Sequence, residues 1–209
     1  MPTPTTRPSP AERLLDSAAS LFDREGIRAV GIDRLIADAD VARASLYQHF
    51  GSKDALVVSY LERADGNDRD GYRRAVRGLE DRPRERIRTV FQLAKKAARR
   101  RGYRGCLYVN AVTEFPEREN PVATIVTAHR EWLRGELTAA LSQAGAARPA
   151  RLAARLQLLY DGGLVGSKAT HSFEPIEQAA ELAEELIDAA LTREPLTAEP
   201  LTAELSTGP

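Results

Sequence analysis

Residues 32–54 read IDRLIADADVARASLYQHFGSKD. Ile32, Leu35 and Ile36 fall at i, i+3 and i+4, which marks one face of a short helix. Leu46 and Phe50 repeat the i, i+4 spacing in a second. Between them lies Asp38-Ala39-Asp40-Val41. Asp40 is one of the few residue types that tolerate a left-handed backbone, and Val41 is placed to plug the gap between the two helices. A third helix start follows at Ser52. Two short helices closing on a four-residue turn are the pattern of a helix-turn-helix reader of DNA.

With Leu46 and Phe50 inward, Arg43, Ala44, Ser45, Tyr47, Gln48 and His49 are left to face outward. Arg and Gln make bidentate contacts to base edges, and Ser and Tyr hydroxyls reach phosphates. An ordinary amphipathic helix with a polar solvent face fits the same periodicity. Ser52 is the expected cap of the next helix. Its first-turn N–H groups, with the charge of Lys53, form a candidate phosphate site.

The segment LYQHFGSKDAL resembles the LYxHFxSKxxL signature of TetR-family transcriptional regulators. The likeness runs from about Ala11 to Tyr60, with Tyr47, His49, Phe50, Ser52, Lys53 and Leu56 in register with Leu35 and Val41. Asp40 replaces a usual Gly, Ile36 a usual small residue, and Val30-Gly31 a Thr/Ser pair. Ala42 replaces Ser or Thr, which removes a side-chain cap worth about 1 kcal/mol. The resemblance implies an all-α protein of about nine helices, with a three-helix head and a helical body for ligand binding and dimerisation. It implies a homodimer that binds a pseudo-palindromic double-stranded operator and is released, as a repressor, by a small-molecule effector. A DNA binder without an effector and a helical small-molecule enzyme are the alternatives.

Composition limits other classes. The chain has 209 residues with Lys+Arg and Asp+Glu equal at 30, so bulk charge does not announce nucleic acid. Residues 1–60 hold seven basic against eight acidic side chains, so DNA binding must rest on a local basic face. No apolar run reaches the roughly 18 residues of a membrane span, and MPTPTTRPSP does not read as a secretory signal. A cytoplasmic protein is the expectation. One cysteine, Cys106, leaves no intrachain disulfide.

Four segments are expected: a tail over 1–8, the DNA-binding domain over 9–52, a regulatory and dimerisation domain over 53–192, and a tail over 193–209. Ser9-Pro10-Ala11-Glu12 is a capping box opening a helix that buries Leu14, Leu15, Ala18, Leu21 and Phe22. Further helices are expected from Lys53, Pro83, Gly105, Pro121, Pro149 and Pro175. The final tail repeats PLTAE at 195–199 and 200–204.

No catalytic or metal constellation is read. His49, His129 and His171 lack an i, i+4 spacing, Cys106 has no base partner nearby in sequence, and no cofactor is implied. The basic run 82–104 reads as the solvated face of a helix rather than a second nucleic-acid surface. By family layout, the candidate ligand-lining residues are Phe91, Tyr103, Cys106, Tyr108, Asn110, Glu114, Phe115, His129, Trp132, Gln157 and Tyr160. They combine apolar walls with a few polar groups, as a small-molecule pocket requires. Glu114 could pair with a cation or cap a helix. Leu156, Leu159, Gly163, Leu164, Ile176, Ala179, Ala180, Ala183, Leu186 and Ile187 are expected at the dimer seam.

Overall fold

The computed structural model describes residues 7–100 and 102–192. Nine helices and no strand occur among them: α1 (Pro10–Glu25), α2 (Ile32–Asp38), α3 (Arg43–Phe50), α4 (Lys53–Ala75), α5 (Pro83–Ala98), α6 (Leu107–Glu114), α7 (Pro121–Gln143), α8 (Pro149–Thr170) and α9 (Glu174–Thr192). The all-helical architecture is the expected one. The PLTAE repeat and most of both expected tails lie outside the described residues.

Local chemistry sets the helix ends. Ser9 Oγ accepts the Glu12 N–H at 3.2 Å, and Ser9 N–H donates to Glu12 Oε2 at 2.7 Å, which completes the capping box. Ser52 Oγ accepts the Ala55 N–H at 3.0 Å at the start of α4. Asn120 Oδ1 accepts the Val122 N–H at 2.9 Å at the start of α7. Gly31 and Ala42 cap α2 and α3 without a side-chain bond. The close of α2 compensates. Asp40 takes φ 50° and sends its N–H to Ala37 O, while Val41 N–H reaches Ile36 O. These are the two bonds of a Schellman motif, with Asp where Gly is usual.

Two apolar cores are stacked along α4. The first joins Leu14, Ala18, Leu21 and Phe22 of α1 with Leu35, Leu46, and Leu56, Val57, Tyr60 and Leu61 of α4. It continues into Tyr108 and Ala111 of α6 and Val122 and Val126 of α7, so the head is not packed alone. Leu15 is only half-buried at its edge. The second core joins Tyr72 with α5, α7, α8 and α9.

The glycines of α8 sit at a close approach within the chain. A Cβ on Gly163 would stand 3.0 Å from Ala179 Cβ and 3.2 Å from Ile176 Cα, and one on Gly166 would stand 2.8 Å from Pro175 Cβ. α8 and α9 therefore pack as a tight hairpin, and α8 runs unbroken through Gly162-Gly163. Most of the residues expected at a dimer seam pack within this hairpin. Leu156, Gly163, Leu164, Ile176, Ala179, Ala183 and Ile187 are buried inside the protomer, so they have no surface left for a partner. Leu159, Ala180 and Leu186 are half-buried.

The basic run is in part the solvated face expected and in part a set of ties between helices. Arg84 and Arg88 of α5 pair with Glu184 of α9, Arg84 also pairs with Asp188, and Lys95 pairs with Glu177. Arg86 reaches Glu136 of α7 at 3.5 Å. Arg84, Arg86, Arg88 and Lys95 thus tie α5 to α7 and α9, while Arg82, Lys96, Arg99 and Arg100 stay exposed.

Gly163→Ala is expected to destabilise the protein by about 1–3 kcal/mol, because the added methyl must push α9 away. Gly135 lies mid-helix in α7 with nothing near its absent Cβ, so Gly135→Ala should stabilise by about 0.5–1 kcal/mol. Urea midpoints of the two variants against the parent check both signs.

Candidate nucleic-acid interface and cavity

α3 buries Leu46 completely and half-buries Phe50 and Ser45. A residue every 100° then leaves Arg43, Ala44, Tyr47, Gln48 and His49 exposed. Tyr47 is one of the few large apolar-bodied side chains left open to solvent, at 45% exposure. Most of the expected contact face is thus presented together, with Ser45 at its margin.

Its electrostatics differ from the simplest expectation. The Arg43 guanidinium is paired with Asp33 of α2. Arg13 and Arg7 both point at Asp40, at 3.5 and 2.6 Å. The head therefore neutralises several of its own cations. Lys53 is also engaged: Nζ donates to Ile27 O at 2.7 Å, and desolvation holds its pKa below the usual lysine value. One of its three donors is spent on the turn between α1 and α2.

That turn is clamped from the other side by α6. Glu114 Oε1 accepts the Ile27 N–H at 3.1 Å and Oε2 accepts the Arg28 N–H at 2.6 Å. The Arg28 guanidinium lies 5.1 Å over the Phe115 ring. Gly26 has φ 96°, and a Cβ there would meet Glu114 Oε1 at 3.3 Å, so both backbone conformation and the clamp favour glycine. Of the two roles open to Glu114, it takes capping, but of the head's turn rather than of a helix of the body. Phe115 packs beside this joint and does not line the cavity.

Behind the joint is a cavity of about 530 Å³. Cys106, Tyr108, Asn110, Glu114, His129, Trp132, Gln157 and Tyr160 line it, as does Tyr103. Phe91 does not; it stands edge-on against Tyr160, with ring centroids 5.9 Å apart, one layer behind the wall. Sequence reasoning missed the wall contributed by α1 and α4: Phe22, Asp23, Tyr60, Ala64, Asn67, Asp68 and Tyr72. The stripe Tyr60, Ala64, Asn67/Asp68, Tyr72 at helical spacing was the available signal. It mixes polar with aromatic residues on a face that a helix in the middle of the fold cannot turn to open solvent.

Polar groups in the walls are held in fixed pairs. Tyr108 stacks on His129 with ring centroids 3.6 Å apart and donates its hydroxyl to Asp68 at 2.7 Å. His129 Nδ1 lies 2.8 Å from Asp65 Oδ1, and Arg69 donates to the same carboxylate at 2.8 Å. Burial would raise Asp65, but these two hydrogen bonds outweigh it and hold the carboxyl below its ordinary value. Burial lowers His129, which keeps the ring neutral near pH 7. Arg130 makes two bonds to Asp161, at 2.9 and 2.6 Å. The Cys106 thiol at the start of α6 is pushed up by burial and stays protonated. Tyr103 is pushed up to about 12 by burial, and its hydroxyl has no partner among the described residues. A third tie runs from Lys168 of α8 to Asn110 Oδ1 at 2.6 Å, so α6 is fastened to the body as well as to the head.

This chain is similar to known proteins over nearly its whole described length. A family model for bacterial regulatory proteins of the tetR family matches residues 14–60, and one for the tetracyclin repressor-like C-terminal domain matches residues 83–183. The crystal structure of a TetR-family transcriptional regulator from Streptomyces coelicolor is 35% identical, with a TM-score of 0.81 over 88% of this chain and 91% of that one. The transcriptional repressor NemR of Escherichia coli is 25% identical over 84% of this chain and 92% of its own length. The transcriptional activator FasR of Mycolicibacterium smegmatis is 36% identical over 38% of this chain and 36% of FasR. A head built around Leu35 and Leu46, an α6 joint, and matches to both halves agree: the chain belongs to the TetR family of helix-turn-helix transcriptional regulators.

Proposed function

We propose that the chain is a homodimeric repressor whose heads leave a pseudo-palindromic operator when a small molecule fills the body cavity. The observation that carries this reading is the placement of α6. Within eight residues it presents Tyr108 and Asn110 to the cavity and Glu114 to the turn of the head. A ligand that moves α6 must therefore move or release the clamp. By linkage, ligand and operator then weaken each other's binding by the same factor. A cavity of this size also supports an effector-gated regulator over a constitutive DNA binder. Arg43, Ala44, Ser45, Tyr47, Gln48 and His49 are the proposed DNA-facing residues, with Lys53 and the first turn of α4 beside a phosphate.

The proposed dimer surface is the outer face of the α8–α9 hairpin. Leu158 is 70% exposed, Val165 51% and Leu182 48%. Leu158, Gly162, Val165 and Ala169 form one stripe along α8, and Gln178, Leu182, Glu185 and Ala189 form another along α9. Such stripes suit a four-helix bundle made with a second copy. No helix among the described residues is long and apolar enough to cross a membrane, and the proposed place of work is the cytoplasm, where the operator lies.

Binding to the DNA upstream of the chain's own gene, followed across a salt series, tests the reading. Selective binding by two subunits is the expected result; equal binding to unrelated duplex at every salt concentration would overturn it. In the same assay Asp33→Asn should tighten binding several-fold, because it frees Arg43 and removes a negative charge near the phosphates. Arg43→Ala should weaken it and relax sequence preference. Glu114→Ala should speed hydrogen exchange at the Ile27 and Arg28 amides while α8 and α9 keep their protection. Val165→Glu should give a folded protein of half the mass by light scattering, with helicity unchanged.

A further inference from the structure

Some charges around the cavity are matched, while Arg24, Arg100 and Arg104, which also line it, have no ion-pair partner among the described residues. Arg63 donates to Asp16 at 2.7 Å, Arg69 to Asp65, and Arg130 to Asp161. Glu114 is spent on two backbone N–H groups. Two carboxylates are not matched, and they stand on one wall. Asp23 accepts the Tyr60 hydroxyl at 2.9 Å, and Asp68 accepts the Tyr108 hydroxyl. Among the described residues, no ammonium or guanidinium stands within ion-pair distance of Asp68. Arg100 acts on it only through space. Asp68 opens into the cavity, yet enough protein surrounds it for desolvation to raise its pKa.

Rings surround this wall. Phe22 and Tyr60 meet edge to face with centroids 5.3 Å apart, and Tyr72 meets Trp132 at 5.7 Å. Tyr108 stacks on His129 beside Asp68. Trp132 already carries Arg69 at 5.3 Å, so one ring of the wall is holding a cation. Aromatic faces attract cations most strongly where water is displaced. A carboxylate partly desolvated by the surrounding wall and without a counter-ion gains from one supplied by a ligand. An anion on this wall would face Asp23 and Asp68 and would have to be held by Arg24, Arg100 or Arg104 instead, and a neutral apolar body would leave Asp68 without a counter-ion.

We infer that the cavity takes an organic cation, an amine or quaternary ammonium with an apolar body, whose charge sits against Asp68 among Tyr60, Tyr72 and Tyr108. This rests on the reading of the cavity as the effector site. It reassigns the counter-ion role from Glu114, which the head consumes, to Asp68.

Trp132 is the chain's single tryptophan and lines the cavity, so its fluorescence reports occupancy. The full chain is titrated with benzyltrimethylammonium, its neutral carbon isostere neopentylbenzene, and the anion benzylsulfonate. The cation is expected to bind about tenfold more tightly than either isostere, and Asp68→Asn should abolish that difference. Tyr108→Phe, which keeps the carboxylate, should retain it. Equal or better binding of the neutral or anionic probe, an unchanged preference in Asp68→Asn, or no response to any of the three would overturn the assignment. DNA affinity measured in the same samples separates this from the regulatory reading. A cation that binds without altering DNA affinity keeps the ligand class and removes the effector role. DNA release by the neutral or anionic probe alone keeps the effector role and removes the class.

Discussion

The carboxylate of Glu114 is the contact on which the two halves of the molecule depend. It satisfies two backbone N–H groups of the turn between α1 and α2, and Ile27 in that turn is almost wholly buried. A buried donor without an acceptor costs about 1–3 kcal/mol, so the turn cannot drift from α6 cheaply. Lys53 closes the same turn from the α4 side. The head is thereby gripped at a point defined by both the long connecting helix and the short cavity helix. A shift of either one is felt at the head, and the shared apolar core around Tyr60, Tyr108 and Val122 spreads that shift through α1.

The cavity is stable for a related reason. Space inside a close-packed protein forfeits contacts, and polar walls add desolvation costs. Here two charged pairs are fixed by their helices: Asp65 with Arg69, its other oxygen hydrogen-bonded to His129, and Asp161 with Arg130. Those pairs keep α4, α7 and α8 at fixed separations around the opening. Asp68, like Asp23, is left with only a neutral tyrosine donor, and on the inference above it is where a ligand's positive charge sits.

Two surfaces show how the same chemistry serves different ends. Arg84, Arg86 and Arg88 of α5 do not form an open basic face, because the acids of α9 and Glu136 of α7 stand opposite and turn them into ties between helices. The head reverses the usual bias of a DNA-binding surface: Arg43, Arg13 and Arg7 are held by Asp33 and Asp40. Exposed pairs of this kind are worth little individually, so phosphates can compete for the same guanidinium groups. On the proposed function, a head this close to neutral binds through a few redirected arginines rather than through bulk attraction.

Local signals determined the helices. Ser9 with Glu12, Ser52, Asn120-Pro121 and Asp40 act within a few residues of themselves, so caps, turns and the spacing of Leu35, Leu46 and Phe50 were legible directly. Most of the cavity lining on α6, α7 and α8 was legible too, through the layout that the resemblance to the TetR family implied. The α4 wall was not read, since the stripe from Tyr60 to Tyr72 reveals its purpose only once α6 and α7 are seen to cross it. Likewise Gly163 announced a close approach but not to what: only the hairpin shows that α9 of the same chain fills that space and turns Leu158, Val165 and Leu182 outward. The partner of each charge was also a tertiary matter, because Glu114 with Arg28, or Arg84 with Glu184, are separated by most of a domain. Sequence by itself settled what depends on neighbours along the chain; the tertiary structure decided which side chains meet across it, because burial and pairing are set by packing distance and not by order.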